Sequence, residues 1–281
     1  MPVSLDYLVI GHITRDLYDQ GYKLGGTATY SALTAHNLGC RVGIVTSTGP
    51  DVDLSQLPAE IRVASHPCTV TTTFQNIYHE GHRKQHISAQ ATVLGIADVP
   101  AEWRDSAIVH LGPIAQEIDG TVVGAFPDAV LGLTPQGWMR AWDEEGIVHA
   151  VDWRPAPGLS ARADAVILSR EDIDEDAERI NLYAASTRTL VLTAGWKGST
   201  VYHEGQVRSF PAPSVDEVDP TGAGDIFATA YLVALQRTEN PFLSAQFANC
   251  IAAHSVERIG LASIPTRDEI ARCRARFGNQ I

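Results

Sequence analysis

Val218-Asp219-Pro220-Thr221-Gly222-Ala223-Gly224-Asp225-Ile226-Phe227 decides the reading of this chain. An apolar stretch of helical period, 228–235, follows at once. Small residues that open a helix leave its first amides bare beside the positive end of the helix dipole, which makes an anion site. Gly222, Ala223 and Gly224 present such a cradle; larger side chains would hold a phosphate off the backbone. Asp225 follows directly. Alone, an acid in a first helical turn does no more than favour the dipole. Beside an anion cradle it is placed as a general base, and that pairing is what phosphoryl transfer to a hydroxyl requires. The expected activity is that of a kinase of small hydroxylated molecules. The stretch is no P-loop, since no Gly-x-x-x-x-Gly-Lys occurs, and Phe227 stands where the dinucleotide fingerprint needs its third glycine.

Outward from this stretch, short apolar runs recur at 7–10, 42–45, 108–111, 129–133, 148–151, 165–168 and 190–192. Several are almost wholly apolar, as parallel strands covered on both faces are. Helical patterns lie at 27–38, with Gly39 as the stop, and at 175–186. Three more close the chain at 224–236, 241–257 and 267–277. The alternation predicts an α/β fold, a doubly wound, mostly parallel central sheet with helices on both faces. Residues 69–78 and 83–89, rich in β-branched and aromatic side chains around the turn His79-Glu80-Gly81-His82, predict a hairpin outside that pattern. With 14–24 it is expected to form a small β lid, spanning about 14–24 and 68–90, on one domain covering 1–281.

The 281 residues, 44% hydrophobic and 19% charged, describe a globular enzyme rather than a disordered chain. The formal charge of -12 disfavours nucleic acid and anionic membrane as partners. No run reaches the ~20 apolar residues of a membrane span, and 1–10 reads as a buried first strand rather than a leader. A cytoplasmic location is the expectation. Cys40, Cys68, Cys250 and Cys273 are widely spaced and read as reduced thiols. His79, His82 and His86 read as a solvated turn rather than a metal site.

These residues resemble the ribokinase-like (PfkB-type) carbohydrate kinases, and the likeness runs over most of the chain. Gly11-His12-Ile13-Thr14-Arg15-Asp16 is similar to that family's first strand exit with its substrate-binding aspartate. Leu24-Gly25-Gly26, before a helix ending Asn37-Leu38-Gly39, is similar to its Gly-Gly signature, and 219–227 to its second signature. The resemblance implies Asp225 as base and Gly222, Ala223 and Gly224 as anion hole. It implies substrate contacts from Asp16, Gly25 and Gly26, with Tyr30, Asn76 and Arg154 as further candidates. Nucleotide contacts fall to Ser169, Thr193, Gly195, Lys197, Gly198, Thr221 and Asn249, besides the anion hole. ATP and Mg²⁺ are the implied cofactors, with a monovalent cation as a further possibility, and a small polyol the implied acceptor. The chain is expected to be a monomer or a homodimer through the lid.

Two departures from the family pattern bear on chemistry. Tyr30 replaces a sugar-binding Asn, which argues against ribose or a simple hexose. Ser169-Arg170-Glu171-Asp172 replaces an Asn-x-x-Glu pair, leaving Glu171 or Asp172 to hold the metal through water. The aromatic after the Gly-Gly pair and Thr134-Pro135-Gln136-Gly137-Trp138-Met139-Arg140 resemble the inositol-kinase branch. A nucleoside kinase, a nucleotide hydrolase and a non-catalytic sensor of the same fold are the competing readings.

Overall fold

The structure, a computed structural model, describes residues 4–79, 82–155 and 158–281. In chain order its strands and helices are β1 (Tyr7–Ile10), β2 (Thr14–Tyr18), β3 (Gly21–Gly25), α1 (Gly26–Asn37), β4 (Val42–Thr48), β5 (Arg62–Pro67), β6 (Thr73–His79) and β7 (His82–Ala89). Then come β8 (Ile108–Leu111), β9 (Val130–Leu133), β10 (Arg140–Trp142), β11 (Val148–Ala150), α2 (Leu159–Arg162), β12 (Ala165–Ser169) and α3 (Ala177–Ser186). The chain closes with β13 (Thr189–Thr193), β14 (Ser199–His203), β15 (Gln206–Phe210), α4 (Ala223–Thr238), α5 (Pro241–Ala253) and α6 (Arg267–Ala275).

Nine strands form one sheet in the order β15-β14-β13-β12-β9-β8-β1-β4-β5. Strands β5 to β13 in that row are parallel, and β14 and β15 add an antiparallel hairpin at one edge. Alternate side chains of β1 feed two cores. Tyr7 and Val9 join the cluster of α1, α4 and α5, whereas Leu8 and Ile10 join Trp103, Phe126 and Tyr183 on the other face. Burial on both faces is why these strands read as unbroken apolar runs. Succession along the sheet reverses at β1, with β4 and β5 on one side and β8 to β13 on the other. In such sheets ligands bind in the crevice outside the carboxyl ends of the strands at that reversal.

A second sheet, β3-β2-β6-β7, follows from the exit of β1 and brings Asp16 against Gly25 at the start of α1. It joins two antiparallel hairpins through a parallel β2–β6 pair. Phe74 and Ile87 pack on Ala115, Ile114, Trp142 and Val148, which seats the sheet on the main body. The hairpin's turn at 80–81 lies outside the described residues.

Three expectations need correction. The run at 148–151 is no core strand: Val148–Ala150 pairs antiparallel with Arg140–Trp142 in a two-stranded ribbon. Strands β5 and β15 are largely exposed and β14, though mostly buried, carries Ser199, Thr200 and His203, so none of the three shows an apolar run. Cys250 and Cys273 are not free thiols. Packing of α5 on α6 brings their Cα atoms to 5.9 Å and their sulfurs to 2.10 Å, a disulfide that a separation of 23 residues does not announce. Cys40 and Cys68 are free.

Candidate active site

Helix α4 starts on Gly222, whose φ of +80° suits a residue without Cβ. A Cβ there would also stand 2.3 Å from the Tyr30 ring. Ala223 N–H donates to the Pro220 carbonyl at 3.1 Å, and the first i→i−4 bond runs from Ile226 N–H to the Gly222 carbonyl at 2.9 Å. The amides between them, at Gly224 and Asp225, therefore precede the helical ladder and head the helix dipole. Gly224 is exposed to the crevice while Gly222, Ala223 and Asp225 are half-buried.

Helix α1 opens on the same crevice. Its N-cap, Gly25, lies against the Asp16 carboxylate, where a Cβ would come within 2.1 Å of Oδ2. Gly26 has φ +81°, and a Cβ on it would strike the His12 carbonyl at 2.4 Å. Both glycines are thus demanded by close approach of other groups. Asp16, on β2, accepts from the Thr14 hydroxyl at 2.9 Å. In the first turn of α1, the Thr27 hydroxyl hydrogen-bonds Asp225 and so ties the two helix starts together.

Electrostatics gather around this point. Burial pushes the Asp225 carboxyl up to about 6; the Thr27 hydrogen bond and the Arg140 guanidinium oppose the rise, and the charges of Asp172 and Asp16 add to it. Burial, with the charges of Asp16, Asp225 and Asp219, raises the Tyr30 phenol well above its ordinary value. Asp219 goes the other way. Burial opposes its ionisation, but hydrogen bonds from Thr221 and Gly260 and the nearby Lys23 outweigh it and hold the carboxyl low.

Asp172 follows β12, where its carboxylate accepts from Ser169 N–H at 3.0 Å and from the Gln136 amide at 3.1 Å. Glu171 is exposed, its N–H on the Ser169 hydroxyl at 3.2 Å. Among the described residues, no three acids of the crevice converge closely enough to cage an ion. Such a dispersed set of carboxylates suits a hard divalent cation held mainly by phosphate oxygens and water.

The remaining residues singled out in the sequence scatter around this centre. Thr193 ends β13, its hydroxyl on the Leu168 carbonyl at 3.3 Å. Gly195 and Lys197 lie in an exposed turn after it, with the Lys197 ammonium 5.8 Å from the Trp196 ring. Gly198 is buried, and a Cβ there would meet the Phe210 carbonyl at 2.0 Å. Thr221 is exposed beside the cradle. Asn249 is buried on α5 and donates its amide to the Phe210 carbonyl at 3.1 Å, a structural bond that leaves it turned into the protein. Asn76 sits exposed on β6, on the same strand face as Phe74. Arg154 keeps other company: it is exposed and lines a recess with Asp152, Asp174 and Arg179. His86 is half-buried on β7 against Gly146 rather than in a solvated turn, and the side chains of His79 and His82 lie outside the described residues.

Several residues that shape the crevice carry no local sequence signal. Glu117, wholly buried, accepts from His12 N–H at 2.9 Å, Ile114 N–H at 2.9 Å and Ala115 N–H at 2.7 Å. It clamps the exits of β1 and β8 together at the reversal of the sheet. His12 ties the first of these exits to the segments flanking β6 and β7 through the Thr72 hydroxyl at 2.7 Å and the Thr92 carbonyl at 2.9 Å. Beneath them, burial lowers the His110 imidazole to about 3. This neutral ring bonds Tyr7 at 2.7 Å and Thr134 at 2.9 Å. Tyr7 continues to Thr229 at 3.2 Å, and Thr229 to the Asp225 carbonyl at 2.8 Å. A buried polar chain thus braces the first turn of α4 from below. Arg140, on β10, faces Asp225 electrostatically although 140 stood in the sequence only within a longer run.

Comparison with known proteins agrees with this architecture. Residues 160–267 match the family model described as pfkB family carbohydrate kinase. A cytidine kinase of Thermococcus kodakarensis is 28% identical over 250 residues, 83% of this chain and 89% of its own. An inositol 3-kinase of Oryza sativa subsp. japonica is 25% identical over 292 residues, 94% of this chain and 71% of its own. A solved pyrophosphate-dependent kinase in the ribokinase family, complexed with a pyrophosphate analog and myo-inositol, superposes with a TM-score of 0.78 at 18% identity, covering 94% of this chain and 99% of that one. Over residues 160–267 the chain is thus similar to pfkB family carbohydrate kinases, and its fold is the ribokinase-like one.

Proposed function

We propose that the protein transfers the γ-phosphoryl group of ATP to a hydroxyl of a small polyol, a sugar or a cyclitol such as inositol. The observation that carries this reading is Asp225 beside the bare amides of α4, its carboxyl raised to about 6 and facing Arg140. In this reading Asp225 accepts the acceptor's proton as the phosphoryl group arrives. Its basicity is weak, so proton transfer comes late and most of the rate comes from positioning and charge stabilisation. The Gly222-Ala223-Gly224 cradle, chiefly through the amides of Gly222 and Gly224 because Ala223 N–H is held by the Pro220 carbonyl, balances with Arg140 the charge that builds on the migrating group. Asp16 orients vicinal hydroxyls of the acceptor over the Gly25-Gly26 turn, and Tyr30 sets the depth of the pocket. Asp172 and Glu171 are the residues that would hold Mg²⁺ through water, and the ion would supply neutralisation of phosphate charge there.

The donor lies along the carboxyl ends of β12 and β13, past Ser169, Thr193 and Thr221, with Gly195, Lys197 and Gly198 at its far end. Closure of the small sheet over the acceptor excludes water and so suppresses hydrolysis. A nucleoside acceptor is the second reading, favoured by the likeness to a cytidine kinase along most of both chains. One assay separates these. ATP consumption is followed with myo-inositol, ribose, fructose or cytidine, and with no acceptor, in the presence of Mg²⁺. Turnover on a polyol supports the first reading and turnover on cytidine alone the second. Equal turnover with no acceptor would mark a hydrolase, and none with any acceptor a sensor.

A further inference from the structure

The joint between α5 and α6 carries groups that phosphoryl transfer leaves unused. Cys250 lies in the last turn of α5, and His254 is that helix's C-cap, so their i, i+4 spacing puts both side chains on one face. Cys273 faces them from α6. One donor atom from each of the three lies within 4.8 Å of the other two, the one such group among the described residues. Both cysteines are buried, at 3% and 1% exposure, while the His254 ring reaches solvent and sits 3.7 Å from the Glu257 carboxylate.

Two sulfurs and an imidazole are a soft-to-borderline donor set, the kind that selects Zn²⁺ over hard cations. Tetrahedral zinc, with ligand bonds of about 2.0–2.3 Å, needs its donors roughly 3.5 Å apart. Sulfurs joined to each other in a disulfide leave no lone thiolates to hold the ion. We propose that Cys250, His254 and Cys273 form a redox-gated zinc site: the disulfide excludes the metal and the dithiol binds one Zn²⁺, with water in the fourth position. A dithiol reductant opens the gate. It gives two electrons and two protons to the sulfur–sulfur bond, becomes a disulfide itself, and leaves two protein thiols. Zinc binding then releases both thiol protons to solvent as metal–sulfur bonds form. Glu257, beside the imidazole, holds the ring for ligation. The joint is crosslinked in either state, by sulfur or by metal. The segment that follows His254 also touches the site described above: the Val256 carbonyl accepts from Val218 N–H at 2.7 Å and Asp219 N–H at 3.0 Å.

The test is equilibrium dialysis of the metal-free full chain, oxidised and dithiol-reduced, against Zn²⁺, with Co²⁺ as a spectroscopic substitute. The reduced protein is expected to take up one ion per chain and to show thiolate-to-cobalt absorption, and the oxidised protein to take up none. His254→Ala, with folding checked by circular dichroism, should weaken the affinity at least tenfold. The pair Cys250→Ser and Cys273→Ser, with folding checked by circular dichroism, should abolish uptake. Absence of stoichiometric uptake by the reduced chain, or undiminished uptake by the double variant or by His254→Ala, would overturn the proposal.

Discussion

Asp225 loses much of its water on folding and lies near the like charges of Asp172 and Asp16, which is why its carboxyl stays protonated up to about pH 6. The sign of the stability effect follows from linkage. An acid whose folded pKa is raised binds more protons in the native state between about pH 4 and 6, so stability falls as pH rises through that window. Asp225→Asn removes the buried charge. Calorimetry is expected to give the variant a higher Tm than wild type at pH 8, with the gap closing at pH 4. At the same residue kcat/KM of the wild type should fall below about pH 6 as the base becomes protonated. Gly222→Ala forces a Cβ into the Tyr30 ring at φ +80° and should cost on the order of 2 kcal/mol or more in urea unfolding. Pairing it with Tyr30→Ala should recover part of that loss. Asp225 and its glycines were legible because one helix start holds them all, adjacent in sequence. Glu117 and His12 were not, since their partners come from segments as far as 105 residues away.

Helices and strands whose own faces decide their burial were readable one by one. Strands β1, β8 and β12 are apolar but for His110 and Ser169 because both faces are covered, and α4 follows directly from its cradle. Strand β15 is exposed along most of its length and was invisible for that reason. Residues 148–151 have the composition of a core strand, and only pairing with 140–142 places them in the ribbon β10–β11 instead. Yet that ribbon carries Arg140 and supports the small sheet through Val148. The loop clamp around Glu117 belongs to this scale too. Glu117→Gln replaces an acceptor of backbone N–H groups with an amide whose NH₂ opposes one of them. It should cost roughly 2–4 kcal/mol in urea unfolding and raise KM for the acceptor more than it lowers kcat.

Across the whole molecule, two helix starts, the exits of seven parallel strands and a four-stranded cover meet at the reversal of one sheet. No helix is long and apolar enough to cross a membrane among the described residues. A crevice lined by acids, in a chain of net charge -12, needs the main-chain amides of α4, Arg140 and a bound cation before it attracts a polyphosphate. If the small sheet excludes water, shortening its outer hairpin between 75 and 86 should raise ATP hydrolysis in the absence of acceptor while leaving the fold's stability nearly unchanged. Coupled product assays with and without acceptor check this. In the proposed reaction Asp225 handles the acceptor's proton while the Gly222–Gly224 cradle holds the phosphoryl group. The most direct test is single-turnover phosphoryl transfer by Asp225→Asn, alongside calorimetric titration of ATP. The account predicts nearly unchanged ATP affinity with transfer slowed by about 10²-fold or more; transfer within a few-fold of wild type would contradict it.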